Sequence, residues 1–250
     1  MKLLMLNPNT SASVTERIAA AARAAASPGT EIVPATATVG PPYIATRAEA
    51  VLGAMAVMET LGAVEPDYDS VVVAAFGDPG LGGARELLSV PVVGLSEAAM
   101  LTSCMLGARF AIVSFSATLG PWYRECVAYH GLEARLAGIR FADGAFSDVG
   151  SVQDEMRERI VEVCRRTVAE DEADVVILAG APLAGLAAAI ATDVPVPVID
   201  GVAAAVRQAE TLAALGPRKA TAGSFRRPAP KPLRGVSAAV KRLYGDGTVA

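Results

Sequence analysis

Val71-Val-Val-Ala-Ala-Phe-Gly-Asp-Pro-Gly-Leu81, followed by Pro91-Val-Val-Gly-Leu-Ser-Glu-Ala-Ala99, is answered about 105 residues later by Val176-Ile-Leu-Ala-Gly-Ala-Pro-Leu183, followed by Pro197-Val-Ile-Asp-Gly-Val-Ala-Ala-Ala205. A similar distance separates a second matched pair, Leu3-Leu-Met-Leu-Asn-Pro-Asn9 and Phe110-Ala-Ile-Val-Ser-Phe-Ser116. Self-similarity at a long period decides architecture before residue propensity does. The runs are short, continuous and rich in Val, Ile and Leu, as parallel strands covered on both faces must be. Strands are expected near 2–7, 30–35, 69–75, 91–94, 109–114, 135–141, 173–180 and 196–199, with helices between them. Regular strand–helix alternation means an α/β fold. The expected architecture is two pseudo-twofold-related, doubly wound parallel-sheet halves, 1–105 and 106–215, with a ligand cleft between them and a basic C-terminal arm and helix at 216–250.

Composition narrows the function classes. A chain of 250 residues that is 52% hydrophobic can bury a large core. Its net charge of −4 argues against nucleic-acid binding, which needs a basic face. Positive charge gathers from Pro217 onward, where eight Lys or Arg accompany a single Asp, and the arm reads as packing on the acidic body or on a partner subunit. Cys104, Cys126 and Cys164 are widely spaced and form no disulfide framework, so a reducing, cytoplasmic setting is expected. The apolar stretch 95–115 is broken by Glu97, Gly107 and Arg109 and does not read as a membrane span. No Walker motif, no dinucleotide fingerprint, no zinc-type His/Cys spacing and no Gly-x-Ser-x-Gly is present. No cofactor, metal or membrane partner is expected, and a homo-oligomer is.

In open parallel sheets ligands bind beyond the carboxyl ends of the strands. That rule places Asn9 and Thr10 after the first strand, and Ser114, Ser116 and Thr118 after its counterpart. Both loops run into helix N-termini and suit a carboxylate or carbonyl oxygen; read singly, Asn9, Thr10 and Ser116 are equally helix caps. The next strand tips supply Ala75 and Phe76 on one side and Gly180, Ala181 and Pro182 on the other. Asp78 is either a ligand-facing acid or the N-cap of the helix that begins with Pro79 and Gly80. Glu97 lies in a first helical turn. Asp200 reads as a cap, and His130 as a helix-end histidine favouring the dipole.

Asn7-Pro-Asn-Thr-Ser11, Phe76-Gly-Asp-Pro-Gly-Leu81 with Ala84-Arg-Glu86, and Pro197-Val-Ile-Asp-Gly-Val-Ala-Ala-Ala-Val206 together resemble the hydantoin racemase branch of the aspartate/glutamate racemase superfamily, over about residues 1–215. The resemblance implies a two-lobed α/β enzyme acting at a carbon beside a carbonyl, with a small ureide, cyclic amide or carboxylate as ligand. In that branch two facing cysteines exchange the proton, one at the position of Ala75 and one at that of Gly180; this sequence has neither. Methyl and hydrogen cannot carry a proton. The expectation is therefore a non-thiol isomerase, lyase or hydrolase with Asp78, Glu97 or Tyr43 as acid–base group, the alternative being a catalytically idle binding protein on the same scaffold.

Overall fold

The structure is a computed structural model that describes residues 1–144, 147 and 151–245. In chain order its elements are β1 (Lys2–Asn7), α1 (Ala12–Ala25), β2 (Glu31–Thr36), α2 (Arg47–Ala63), β3 (Ser70–Val73), α3 (Leu81–Leu87), β4 (Val92–Gly94), α4 (Leu95–Leu106), β5 (Phe110–Ser114), α5 (Gly120–Tyr129), β6 (Leu136–Phe141), α6 (Val152–Asp171), β7 (Val175–Leu178), α7 (Leu186–Ile190), β8 (Val198–Asp200), α8 (Gly201–Leu215) and α9 (Ala238–Tyr244). All eight strands fall where the apolar runs place them. They form two four-stranded sheets of one repeated order, β2-β1-β3-β4 and β6-β5-β7-β8, with every pairing parallel.

The continuous apolar runs are explained by burial: all of Ser70–Val73, Phe110–Ser114 and Val175–Leu178 is buried. Two helices cross between the lobes. In α4, Leu95 and Ala98 join the core of the first sheet while Ala99 and Met100 join that of the second. Helix α8 follows the last strand yet lays Val202, Ala205, Val206 and Ala209 over Leu3, Met5, Val72 and Val93 of the first sheet. Asp200 caps α8 by accepting from the Val202 and Ala203 N–H groups, as the sequence suggests. Ser11 with Glu16 resembles a capping box in the sequence, but the box is found elsewhere. Ser11 caps α1 alone, and the reciprocal Thr46–Glu49 pair opens α2.

The arm returns to the first lobe. Helix α9 docks on α2, where Gly62 is obligatory: a Cβ there would meet the Ala239 carbonyl oxygen at 2.1 Å. Arg242 donates to the Gly62 carbonyl and Arg227 to that of Leu87. Among the described residues no helix is long and apolar enough to cross a membrane.

Candidate active site

At the carboxyl ends of β3 and β7 the two lobes meet around a narrow cleft with a free volume of about 20 Å3. Ala75 and Phe76 enter it from one side, and Gly180, Ala181 and Pro182 from the other, so the two positions matched by the repeat line the same space. The segment after β2 brings in Tyr43 and Ile44, the start of α5 brings Trp122 and Tyr123, and Asn9 and Val14 complete the wall. The aromatic side chains at and behind the cleft wall pack in two groups. Phe76 and Tyr123 stand 4.8 Å apart between ring centroids, Trp122 and Tyr123 5.9 Å, and Tyr43 and Phe115 6.2 Å. Trp122 and Tyr123 were missed by sequence reasoning, although Pro121-Trp-Tyr123 follows the β5 tip at the start of a helix.

Gly180 is held at φ 116° in a region that side-chain-bearing residues rarely adopt, and a Cβ there would stand 2.8 Å from Cε1 of buried Phe115. Position 180 has therefore settled into a glycine-only geometry. Ala75 has no such constraint, being absent from the residues with positive φ.

The polar loops divide. Asn7 donates to Asn9 Oδ1 at 3.0 Å, and the Ser11 N–H donates to the same oxygen at 3.0 Å. With its carbonyl oxygen taken, Asn9 offers amide N–H groups to the cleft it lines. Thr10 instead ties down the Tyr43 segment, its N–H donating to the Pro41 carbonyl. Ser114 is buried and donates to the Ala179 carbonyl at 2.7 Å, binding the β5 and β7 tips together. The Ser116 and Thr118 hydroxyls bond each other at 2.9 Å, and neither residue lines the cleft.

Of the three acid–base candidates only Tyr43 reaches the cleft. Its hydroxyl is buried without a hydrogen-bond partner, and burial, assisted by Glu49, pushes its pKa well above that of a free phenol. Tyr123 is shifted the same way by complete burial. At neutral pH both are neutral phenols, able to donate a proton or hydrogen bond and unable to act as phenolate bases. The three cysteines lie outside the lining. Burial raises the Cys126 thiol and pushes that of Cys164 up to about 12.

Asp78 serves a helix other than the one expected. Its carboxylate does not cap α3, whose N-cap is Gly80; it accepts from the Ser96 and Glu97 N–H groups at the start of α4, each at 2.9 Å. The side chain gets there because Asp78 takes a left-handed φ of 49° and because Gly94 has no Cβ, which would stand 2.4 Å from the Asp78 carboxyl carbon. Glu97, rather than simply complementing its own helix, forms a two-pronged ion pair with Arg85. His130 also departs from its expected role. At the end of α5 its ring is buried between two carboxylates, Nε2 at 3.2 Å from Asp78 Oδ2 and Nδ1 at 3.6 Å from Glu97 Oε1. Cys126 completes this cluster. Although the sequence has no ligand spacing, one ligand atom each from Asp78, Cys126 and His130 come within 4.8 Å of one another.

Two parallel lobes of one strand order, with a cleft where the strand tips meet, define a two-lobed α/β protein. Comparison with known proteins agrees. The chain belongs to the Asp/Glu/hydantoin racemase family, whose model matches residues 3–209. It is 33% identical to the hydantoin racemase of Pseudomonas sp. strain NS671 over 94% of this chain and 95% of that protein. Among solved structures it is similar to allantoin racemase from Klebsiella pneumoniae, with a TM-score of 0.90 and 36% identity over 96% of this chain and 98% of that one. Allantoin racemase from Pseudomonas fluorescens gives a TM-score of 0.88 at 37% identity, over 94% and 100%.

Proposed function

We propose that this protein is an enzyme of the racemase superfamily that acts beside a carbonyl of a small cyclic ureide, cyclic amide or carboxylate without using thiols. The ligand class follows from the names of its relatives, hydantoin racemase and allantoin racemase, and the mostly apolar cleft between the lobes is where such a ligand would lie. One observation carries the mechanism: among the described residues the cleft is lined by a buried, unpartnered Tyr43 hydroxyl and by no carboxylate, imidazole, amine or thiol.

Two-base racemisation needs a group that removes the α-proton, and a phenol with a raised pKa does not do so at neutral pH. Of the isomerase, lyase and hydrolase chemistries open to the scaffold, decarboxylation fits this inventory best. The bond between the α-carbon and the carboxylate breaks, CO2 leaves, and the electron pair passes to the neighbouring carbonyl as an enolate. No base is required. The enolate oxygen takes hydrogen bonds from the Asn9 amide, the α-carbon takes the proton of Tyr43, and water restores the phenol. Apolar Val14, Ile44 and Pro182 favour the step in which a carboxylate charge is lost.

The test is incubation in D2O with cyclic ureides and amides that carry a carboxylate on the carbon beside a ring carbonyl, and separately with hydantoin and allantoin enantiomers as probes of racemisation, followed by chiral separation and mass spectrometry. Release of CO2 with deuterium at one carbon, unaffected by changing Cys104, Cys126 and Cys164 to Ala and lowered at least about 100-fold in Tyr43→Phe, is expected. Exchange of the α-proton of both enantiomers, abolished by the cysteine changes in a folded variant, would return the protein to thiol-based racemisation. The absence of a base equally favours the second reading, a ligand-binding protein that does no chemistry; calorimetric binding of a ureide without turnover identifies that case.

A further inference from the structure

Beside the strand tip that carries Ala75 and Phe76 lies a second pocket of about 480 Å3, lined by Gly77, Asp78, Trp122, Cys126 and Tyr129 among others. Trp122 lines both this pocket and the cleft. Cys126 and the His130 ring are buried at its inner wall with Asp78, and the proposed reaction uses none of the three. We propose that Asp78, Cys126 and His130 form a zinc site, with the fourth position open to solvent from this pocket.

The donor set suits the ion: one carboxylate oxygen, one imidazole nitrogen and one thiol sulfur are the ligand types zinc takes in tetrahedral sites. The spacing suits it as well. Zinc bonds of about 2.0–2.2 Å to nitrogen and oxygen, opened to a tetrahedral angle, put those two ligands about 3.3 Å apart; His130 Nε2 and Asp78 Oδ2 stand at 3.2 Å. The sulfur belongs about 3.5 Å from each, and it already lies within 4.8 Å of both. Zinc therefore replaces the proton shared by His130 and Asp78, and the Cys126 side chain closes by no more than about 1.3 Å.

The surroundings are those that orient ligands. With Nε2 on the metal, Nδ1 of His130 lies 3.6 Å from Glu97 Oε1, which Arg85 holds in place: a carboxylate behind a ligating histidine. Ser96 Oγ accepts from the Gly77 N–H at 2.9 Å and lies 3.3 Å from Cys126 Sγ, where its hydroxyl can donate to a thiolate. Charge balance points the same way. If the ion displaces the Cys126 proton, Asp78, Glu97 and Cys126 are three anions balanced by Arg85 and the divalent ion, so the bound cluster carries no net charge. Bound there, zinc ties α5, and with it Trp122 and Tyr123, to the tip that forms one wall of the cleft.

The full-length protein, stripped with a chelator, is titrated with zinc chloride against a chromophoric competitor. One equivalent binds. Cys126→Ser and His130→Ala each weaken binding at least about 100-fold, and Glu97→Gln, which removes only the group behind the histidine, weakens it about 10-fold; a Cys104→Ser/Cys164→Ser double variant binds as wild type does. Cobalt(II) chloride in place of zinc gives a thiolate-to-metal absorption band that survives in the double variant and is lost in Cys126→Ser. The proposal is overturned if the folded wild type binds no zinc, if cobalt binds without a thiolate band, or if folded Cys126→Ser and Glu97→Gln keep wild-type affinity. None of these readouts depends on enzymatic activity.

Discussion

Replacing Gly180 with Ala adds a single methyl group and should be among the most damaging changes of its size in this protein. An L-residue at φ 116° occupies a sparsely populated backbone region at a cost of about 1–3 kcal/mol. The new Cβ also stands 2.8 Å from Phe115 Cε1, and Phe115 is only 1% exposed, so its ring has nowhere to swing without repacking, which costs a further 1–3 kcal/mol or so. Together these give a loss of about 2–6 kcal/mol. Urea unfolding followed by near-UV circular dichroism measures it, with an unchanged denaturant slope confirming that folded-state stability is what moved. Ala75→Cys, made at the facing position, meets no such backbone barrier and should stay within about 1 kcal/mol of wild type. Phe115→Leu introduced with Gly180→Ala should recover the steric share, as a coupling of about 1 kcal/mol in a double-mutant cycle. If Gly180→Ala is as stable as wild type and shows no coupling to Phe115, this tip readily accepts side chains, and the claim that position 180 has lost room for a thiol is wrong.

Tyr43→Phe removes a buried hydroxyl that has no partner, so thermal stability should hold or rise by up to about 1–3 kcal/mol even as ureide affinity or turnover falls; a parallel loss of stability would mean that the hydroxyl has a structural partner. Arg140 hydrogen bonds hold the Asp171 carboxyl below its usual value of 3.8, so the stability this pair adds is complete above that pH and is lost as pH falls below it. Asp171→Asn should accordingly lower stability at pH 7 and flatten the acid limb of the stability curve, and an acid limb like that of wild type would assign acid sensitivity to other groups. Gly62→Ala should undock α9 and make the chain after Gly216 hypersensitive to trypsin with the two-sheet core intact; wild-type resistance would show that the arm tolerates the displaced Ala239 carbonyl.

The repeated strand tips made the fold legible because parallel strands buried on both faces need uninterrupted apolar runs, and few other structures do. The cleft was legible at the same tips: Ala75, Phe76, Gly180, Ala181 and Pro182 are brought together as the repeat requires. The side-chain assignments fared less evenly, for physical reasons. Asp78 precedes Pro-Gly, as a local cap does, but its left-handed backbone turns the carboxylate to a helix that starts 17 residues later. The partnership of His130 with Asp78 spans 52 positions and depends on how α5 lies against the first lobe, about which local sequence is silent. Ser116 and Thr118 were persuasive as ligand donors because hydroxyls abound before helices, yet they satisfy each other.

The crossing of α8 has a consequence for the order in which the chain is completed. The first four strands emerge early in synthesis, but the face of that sheet bearing Leu3, Met5, Val72 and Val93 is covered by residues 202–209. Until those residues leave the ribosome, an apolar sheet face has no permanent cover, and the N-terminal lobe cannot finish as an independent unit. Truncation anywhere before α8 should therefore yield an aggregating half rather than a stable domain. Quality control by the cell would meet this protein as a single cooperative body, in which the last helix of the sheet region decides the fate of the first strand.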